Sequence, residues 1–157
     1  MANITIREYH PESGALLGNI SVLQFGKTRA GTHSRVKVID ILFGDVSTVT
    51  NLKLGIISNG NLVVNEDPGD QASDGTTSNG HFGIENTASF DSSKANSSLV
   101  RHFSGLNTTV TSTDPNNANI NMRSATVSNY IYLDIELSAT DTTTSGNGAY
   151  KIFFDFA

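Results

Sequence analysis

The chain has 157 residues, a formal net charge of -5 and no cysteine. A chain of this length buries roughly 70% of its unfolded surface in one domain, so we expect a single domain over residues 1–157 that needs no metal or disulfide. The lack of cysteine excludes a disulfide framework, a thiol nucleophile and a thiolate metal site. The acidic balance argues against a nucleic-acid partner, whose phosphates require many lysines and arginines.

The start of the chain and its polarity suggest where it acts. Residues Met1 to Ile6 contain neither a basic nor an apolar signal region, and no apolar run is long enough to cross a bilayer. We therefore expect a soluble protein with no classical export signal and no membrane partner. Only 16% of residues are charged, whereas Gly, Thr, Ser and Asn are abundant, which favours strands over helices.

The first segments of the chain read as short strands separated by turns. Asn3 to Tyr9 has isoleucines on one face, and Ile20 to Phe25 is a second apolar run. Gly26 to Ser34 has two glycines that bracket polar residues, which predicts a loop.

The strongest strand of this half is Ser34 to Phe43. The apolar residues change from one face of the strand to the other between Val38 and Ile39. We therefore expect either that both faces are covered or that a β-bulge changes the direction of the side chains. A turn at Gly44 and Asp45 then leads into a predicted strand over Leu52 to Ser58.

A hairpin and a long polar segment follow. Asn59-Gly60 is the strongest short-range signal, because both residues tolerate the positive φ of a two-residue turn. From Asn65 to Gly80 the sequence has neither helical nor strand periodicity, and we expect this segment to be a loop that projects from the domain.

The next segments carry weaker signals. His81 to Ile84 is predicted as a short strand, and Ser97 to Phe103 as a helical turn. Thr108 to Val110 and Ile120 to Met122 are predicted as strands, separated by a turn cluster that begins at Asp114.

The last part of the chain predicts a long antiparallel hairpin. From Asn129 to Leu137 apolar residues alternate with Tyr132, Asp134 and Glu136, as in a strand with one buried face. The same alternation recurs over Tyr150 to Phe156. The segment Ser138 to Ala149 is rich in Thr, Ser, Gly and Asn, which predicts a solvated loop between them.

Together, about eight short strands predict an all-β, two-sheet antiparallel β-sandwich with long polar loops. Its topology is either Ig-like or jelly-roll, and the sequence does not decide between them.

Several patterns raise chemical alternatives that their context disfavours. Gly26-Lys27-Thr28 ends like a phosphate-binding loop, but Ser21 stands where the motif needs a glycine. Three aspartates of the polar loop could bind calcium, although their spacing does not match the helix-loop-helix calcium pattern and any solvated loop uses such residues; they are Asp67, Asp70 and Asp74. No two of the four histidines have the spacing of metal ligands; they are His10, His33, His81 and His102. We therefore predict no cofactor and no metal.

The candidate catalytic residues also have a simple structural explanation. Asp134 and Glu136 share one face of a strand, roughly 7 Å apart, which would suit an acid/base pair but is equally typical of a solvent-facing sheet. No Gly-x-Ser-x-Gly motif occurs. We predict no catalytic residues and no enzyme activity. Sugar binding would need exposed aromatic platforms, for which Phe82, Phe90 and Phe103 are candidates unless they anchor loops to the core.

Four basic residues cluster in this acidic chain: Lys27, Arg29, Arg35 and Lys37. His33 lies within the same stretch. The interpretation as a contact surface for an acidic partner competes with that of a solvated rim.

The chain resembles the small accessory virion proteins of tailed bacteriophages. The resemblance rests on Val49 to Gly55 leading into the Asn-Gly hairpin, on Gly148 to Phe156 at the end, and on the cysteine-free Asn-, Ser- and Thr-rich composition. It implies a non-enzymatic capsid decoration or cement protein that is made in the host cytoplasm and located in the virion.

The implied partners are the major capsid protein or other virion proteins, together with further copies in a homo-oligomer, of which a trimer is favoured. The predicted contact surfaces are the basic stretch and the N-terminal strand. A phage tail or baseplate component, or a carbohydrate-binding, lectin-like module, is the alternative.

Overall fold

The computed structural model of the protein describes residues 3–21, 23–28, 34–57, 81–96, 99, 101–102, 112–113, 117–136 and 144–157. Within strands, only the backbone is described for residues 23–28, 56–57, 81–82, 101–102, 135–136 and 144–150. These residues form ten strands and one short 3₁₀ helix, Ser92–Asn96. The strands are β1 (Asn3–Tyr9), β2 (Leu16–Ile20), β3 (Leu23–Thr28), β4 (Lys37–Gly44), β5 (Val49–Ile57), β6 (His81–Thr87), β7 (Arg101–His102), β8 (Ala118–Asn119), β9 (Tyr130–Glu136) and β10 (Thr144–Phe156).

The strands form two antiparallel sheets, which confirms the predicted all-β, two-sheet sandwich. The six-stranded sheet has the order β2-β1-β4-β9-β6-β7, and the four-stranded sheet has the order β3-β10-β5-β8. Every described pair of neighbouring strands is antiparallel.

The strand order is a circular permutation of the jelly-roll order. If β1 is counted after β10, successive strands from β2 onward alternate between the two sheets, apart from the pair β6 and β7. The neighbours within each sheet are then those of an eight-stranded jelly roll, with β6 and β7 as an insertion that extends one sheet beyond β9. Of the two predicted topologies, this order fits the jelly roll.

The main core lies between the sheets. Its residues come from the inward faces of both sheets, and the most deeply buried are Ile39, Ile41, Ile131, Leu133 and Leu54. Close packing of branched side chains from both sheets is the usual way in which a sandwich excludes water.

A second apolar cluster covers the opposite face of the six-stranded sheet. It comprises Tyr9, Val36, Val38, Leu99 and Tyr132, with Phe90 and Tyr130 packed against it. The segment that carries the 3₁₀ helix lies beside it, because the Asp91 amide donates to the Tyr132 hydroxyl at 2.8 Å. Both faces of β4 are therefore covered, which was one of the two alternatives that the change of face in its apolar residues predicted.

The predicted C-terminal hairpin is wrong. β9 lies between β4 and β6 in one sheet, whereas β10 lies between β3 and β5 in the other. Alternating hydrophobicity shows that a strand faces a core, but it does not show whether two such strands share a sheet.

The predicted loop before β10 is also wrong in its second half. Thr144 to Gly148 pair with β3, and Ala149 continues into pairing with β5. Gly26 to Thr28 were also predicted as loop and belong to β3. In both segments the backbone hydrogen bonds come from pairing with a neighbouring strand, which does not require apolar side chains.

Other predicted boundaries shift. The apolar run Ile20 to Phe25 is divided, because Ile20 ends β2 in one sheet and Leu23 begins β3 in the other. The helical prediction for Ser97 to Phe103 is wrong at Arg101–His102, which form β7. The strand predicted at Ile120 to Met122 lies earlier, at Ala118–Asn119, and Met122 forms only an isolated bridge with Ser128.

The Asn59-Gly60 turn, the polar segment Asn65 to Gly80, the strand predicted at Thr108 to Val110 and the start of the Asp114 turn cluster lie outside the described residues. Within the described part, no helix has the length and apolar character needed to cross a membrane.

Candidate functional site

The predicted basic patch lies only partly within the described residues. Arg35 and Lys37 lie together just before and at the start of β4, whereas Lys27 is described only as backbone in β3. Arg29 and His33 lie outside the described residues. The Lys37 Nζ lies 2.8 Å from Glu8 Oε2, so its charge is balanced locally, while Arg35 is exposed.

Arg35 and Lys37 line an open cleft of about 790 Å³ at one end of the six-stranded sheet. The end of β1, the β1–β2 turn and the end of the 3₁₀ helix form its other walls. Glu8 and Glu12 also line it, so two acidic and two basic side chains surround the cleft. The described part of the patch therefore has mixed charge, which suits a partner surface with both signs.

The β1–β2 turn forms a well-ordered rim of this cleft. The His10 Nδ1 accepts hydrogen bonds from the amides of Glu12 and Ser13 at 3.2 and 3.3 Å. Gly14 has a φ of 74°, and its amide donates to the His10 carbonyl at 2.9 Å.

β2, which follows this turn, is an edge strand with exposed apolar side chains. Among the described strands it pairs only with β1, and a β-bulge leaves Leu17 without a partner in the ladder. Leu16 and Leu17 are 56% and 58% exposed, and Ile4 on β1 is 42% exposed. The strand Leu16–Ile20 contains no charged residue or proline, two of the devices that keep an edge from pairing with another chain, and its β-bulge is a third such device that is present.

The N-terminal strand, predicted as a contact surface, lies inside its sheet and not at the edge, and its contact role stays a prediction. β1 pairs with both β2 and β4, so its backbone is not available to another chain. The edge of the sheet on this side is β2.

A buried carboxylate organises the covered face of the same sheet. Asp40 is fully buried, and its Oδ2 accepts bonds from Arg7 Nη2 at 2.6 Å, Arg123 Nη2 at 2.6 Å and the Tyr9 hydroxyl at 2.9 Å. The hydrogen bond to Asp40 raises the pKa of Arg7. Burial, together with the hydrogen bond to Asp40 and the charge of Asp40, raises the pKa of Tyr9 above its ordinary value.

Aromatic rings complete this cluster. The Arg123 guanidinium lies 4.1 Å from the centre of the Tyr130 ring. Tyr130 in turn makes edge contacts with Tyr9 and Phe90, at 5.2 and 5.8 Å between ring centroids. The cluster holds Arg123 and its loop against the sheet. The sequence feature that could have indicated it is Asp40, a single acidic residue among the apolar residues of Val36 to Phe43.

A groove of about 560 Å³ lies on the outer face of the four-stranded sheet. Phe153 and Asp155 of β10, Asn51 and Lys53 of β5, and the turn at Ser112 and Thr113 line it. The sequence analysis singled out none of these residues as a site.

The remaining candidates are the loop phenylalanines and the carboxylate pair. Phe90 packs inside the second cluster, so it anchors its segment, while the side chain of Phe82 and all of Phe103 lie outside the described part. Asp134 is 1% exposed, so its expected solvent-facing position is wrong, and the Glu136 side chain is not described.

The metal-binding alternatives are mostly outside the described part. Asp67, Asp70, Asp74 and His33 are not described, and His81 and His102 are described only as backbone. The described residues contain no group of three acidic or histidine side chains that could hold a metal ion.

Comparisons of this chain with models of protein families, with characterised proteins and with solved structures find no match.

Proposed function

We propose that the protein is a non-enzymatic virion structural protein that decorates a capsid, binding and stabilising its lattice. The observation that carries this proposal is the apolar edge strand β2, with Leu16 and Leu17 more than half exposed beside a cleft of mixed charge. A sheet edge without charges or proline is suited to pairing with another chain, and large apolar side chains beside it add burial when it does.

The proposed partners are the major capsid protein or another virion protein, and further copies of this chain. Pairing of β2 with the β2 of a second copy gives a two-fold dimer, whereas the favoured trimer requires β2 to meet a different surface of the next copy. Exposed Arg35, with the predicted contact residues Lys27 and Arg29, would pair with acidic groups on a partner surface of mixed charge, while the predicted contact residue Lys37 is already paired with Glu8.

The fold supports the proposal by analogy. Jelly rolls are frequent among viral capsid proteins, although they also occur in lectins and other binding proteins. A position on the tail or baseplate would use the same surfaces, and labelling of purified virions would distinguish head from tail.

The first test is the mass of the purified protein in solution, by size exclusion with light scattering, with and without a chelator. We expect a chelator-insensitive oligomer. Leu17→Lys should weaken self-association and reduce co-sedimentation with capsids of the virus that encodes the chain, because it places a charge where an apolar contact is proposed.

Ala125→Lys provides the matched control, since it adds the same charge at another exposed position. It should leave the mass and the co-sedimentation unchanged. A protein that remains monomeric and has no affinity for any virion component would overturn the proposal.

A further inference from the structure

The groove on the outer face of the four-stranded sheet has the composition of a ligand site. Its floor is formed by β5 and β10, and the turn at Ser112 and Thr113 forms one wall. Its volume of about 560 Å³ lies within the range that small-molecule sites occupy. The groove belongs to the other sheet from β2, so its role is independent of the proposed lattice contact.

Phe153 is the apolar element of this groove. Phe154, the next residue, packs 4.7 Å from Phe43 in the core, so Phe153 projects from the opposite side of β10. Phe153 makes no ring contact with any described side chain, and it is half-buried in the groove beside Lys53, its partner across the strands. The Phe153 ring lies outside the main core, and its exposed part adds apolar surface to the groove.

Polar groups are held in place beside the ring. The pairing shifts between Phe153 and Asp155, and in this irregular part of β5 Asn51 adopts a φ of 52°, which is unusual for a residue other than glycine. This conformation accompanies a hydrogen bond in which Asn51 Nδ2 donates to Asp155 Oδ2 at 2.8 Å. Asparagine tolerates this conformation, and the hydrogen bond sets the position of the Asp155 carboxylate beside the ring.

Lys53 is fixed in a similar way, because its Nζ donates to the Ser112 carbonyl at 3.2 Å. The ammonium of Lys53 and the carboxylate of Asp155 balance each other, so the groove has no net charge from these residues. An uncharged ligand with one apolar face and many hydroxyl groups would match both the ring and its polar neighbours.

We propose that this groove binds a neutral oligosaccharide. The apolar face of a pyranose ring stacks on Phe153. Its hydroxyl groups donate to Asp155 and accept from Lys53, and Asn51 holds the Asp155 carboxylate in position. A phosphate-containing ligand fits less well, because Asp155 would repel it.

The test uses the full-length protein and uncharged tetrasaccharides of glucose, mannose and N-acetylglucosamine as probes. Amide chemical shifts are followed by NMR as each sugar is added. We expect at least one sugar to shift the amides of β5 and β10 around residues 51–53 and 153–155, with a dissociation constant of about 1 mM or below.

Two variants connect the binding to the groove. Phe153→Ala should weaken it about tenfold, and Asp155→Asn should weaken it by about threefold or more. Asp155 is exposed and its replacement is nearly isosteric, so the second variant tests the site even if the first one folds poorly. Lys151→Ala, exposed on the same strand but outside the groove lining, should bind like the parent.

Two results would overturn the proposal. One is that none of the three sugars shifts these amides at about 10 mM, well above the expected dissociation constant. The other is that a sugar binds with shifts elsewhere and unaltered affinity in Asp155→Asn. Neither result bears on the mass or the co-sedimentation that tests the lattice proposal.

Discussion

Asp40 is the residue on which the covered face of the six-stranded sheet depends. It is fully buried, while its partners Arg7 and Arg123 are only 24% and 20% exposed. Ion pairs of this kind seldom add much stability by themselves, but the loss of one partner leaves the other charges without compensation.

We expect Asp40→Asn to lower the free energy of unfolding by about 2–3 kcal/mol, less than for a wholly buried pair because both arginines retain some access to water. Denaturant unfolding followed by circular dichroism measures it. Asp45→Asn is the control: Asp45 is exposed with a φ of 59°, which asparagine tolerates, so its effect should stay within about 0.5 kcal/mol. Equal losses in the two variants would contradict the role given to Asp40.

At the scale of elements, the β1–β2 turn is coupled to the segment that covers the sheet. Gly14 combines a positive φ with close packing, because an added Cβ would lie 3.0 Å from the Phe90 ring. Phe90 in turn contacts Tyr130 in the second cluster. The shape of the turn is therefore set both by the positive φ of Gly14 and by the contact of Gly14 with Phe90.

Gly14→Ala should destabilise the protein by about 1–3 kcal/mol, through backbone strain and displacement of Phe90. Gly44→Ala is the comparison, since its Cβ would make an ordinary contact at 3.5 Å and its φ is not positive. Thermal and denaturant unfolding of both variants measure the difference. If the two glycines respond alike, the close approach to Phe90 has no energetic weight.

The elements that sequence reasoning predicted well are those with strong apolar patterns. β1 lies where Asn3 to Tyr9 was predicted, and β4, β5 and β9 lie within a few residues of their predicted ranges. The first part of β10 was missed, because Thr144 to Gly148 form a strand through backbone pairing and carry no hydrophobic signal.

The candidate surfaces were harder to predict. The sequence brought Arg35 and Lys37 together, but Glu8 and Glu12 reach the same cleft only through the pairing of β1 with β4 and the turn that follows. The groove at Phe153 depends on which of two adjacent phenylalanines faces the core, and the alternation alone did not show that the outward one has polar neighbours from β5.

For the whole molecule, the jelly-roll order with β1 counted last places β1 and β10 at successive positions in the topology. Asn3 pairs with Gly44, and Ala157 exchanges backbone hydrogen bonds with Thr48 and accepts one from Ser47. Both residues thus lie against the same turn between β4 and β5.

We expect a circular permutant to fold in which a short Gly/Ser linker joins residue 157 to residue 3 and the chain is opened in the β1–β2 turn before Gly14. Its stability should lie within about 2 kcal/mol of the parent, since exposed turns tolerate new termini. NMR spectra and denaturant unfolding provide the measurement. A permutant opened between Ile39 and Asp40, inside a buried strand, should fail to fold, and similar behaviour of the two would contradict the assigned topology.

The central position of β10 affects the protein while it is being synthesised. β10 is the last described strand, yet β3 and β5 both pair with it. Until the ribosome has released those 13 residues, the four-stranded sheet lacks its centre, and Leu52 and Leu54 of β5 have no completed sheet to hold them against the core. The nascent chain therefore exposes apolar strands until β10 has emerged, and in that interval chaperones and neighbouring chains compete for them.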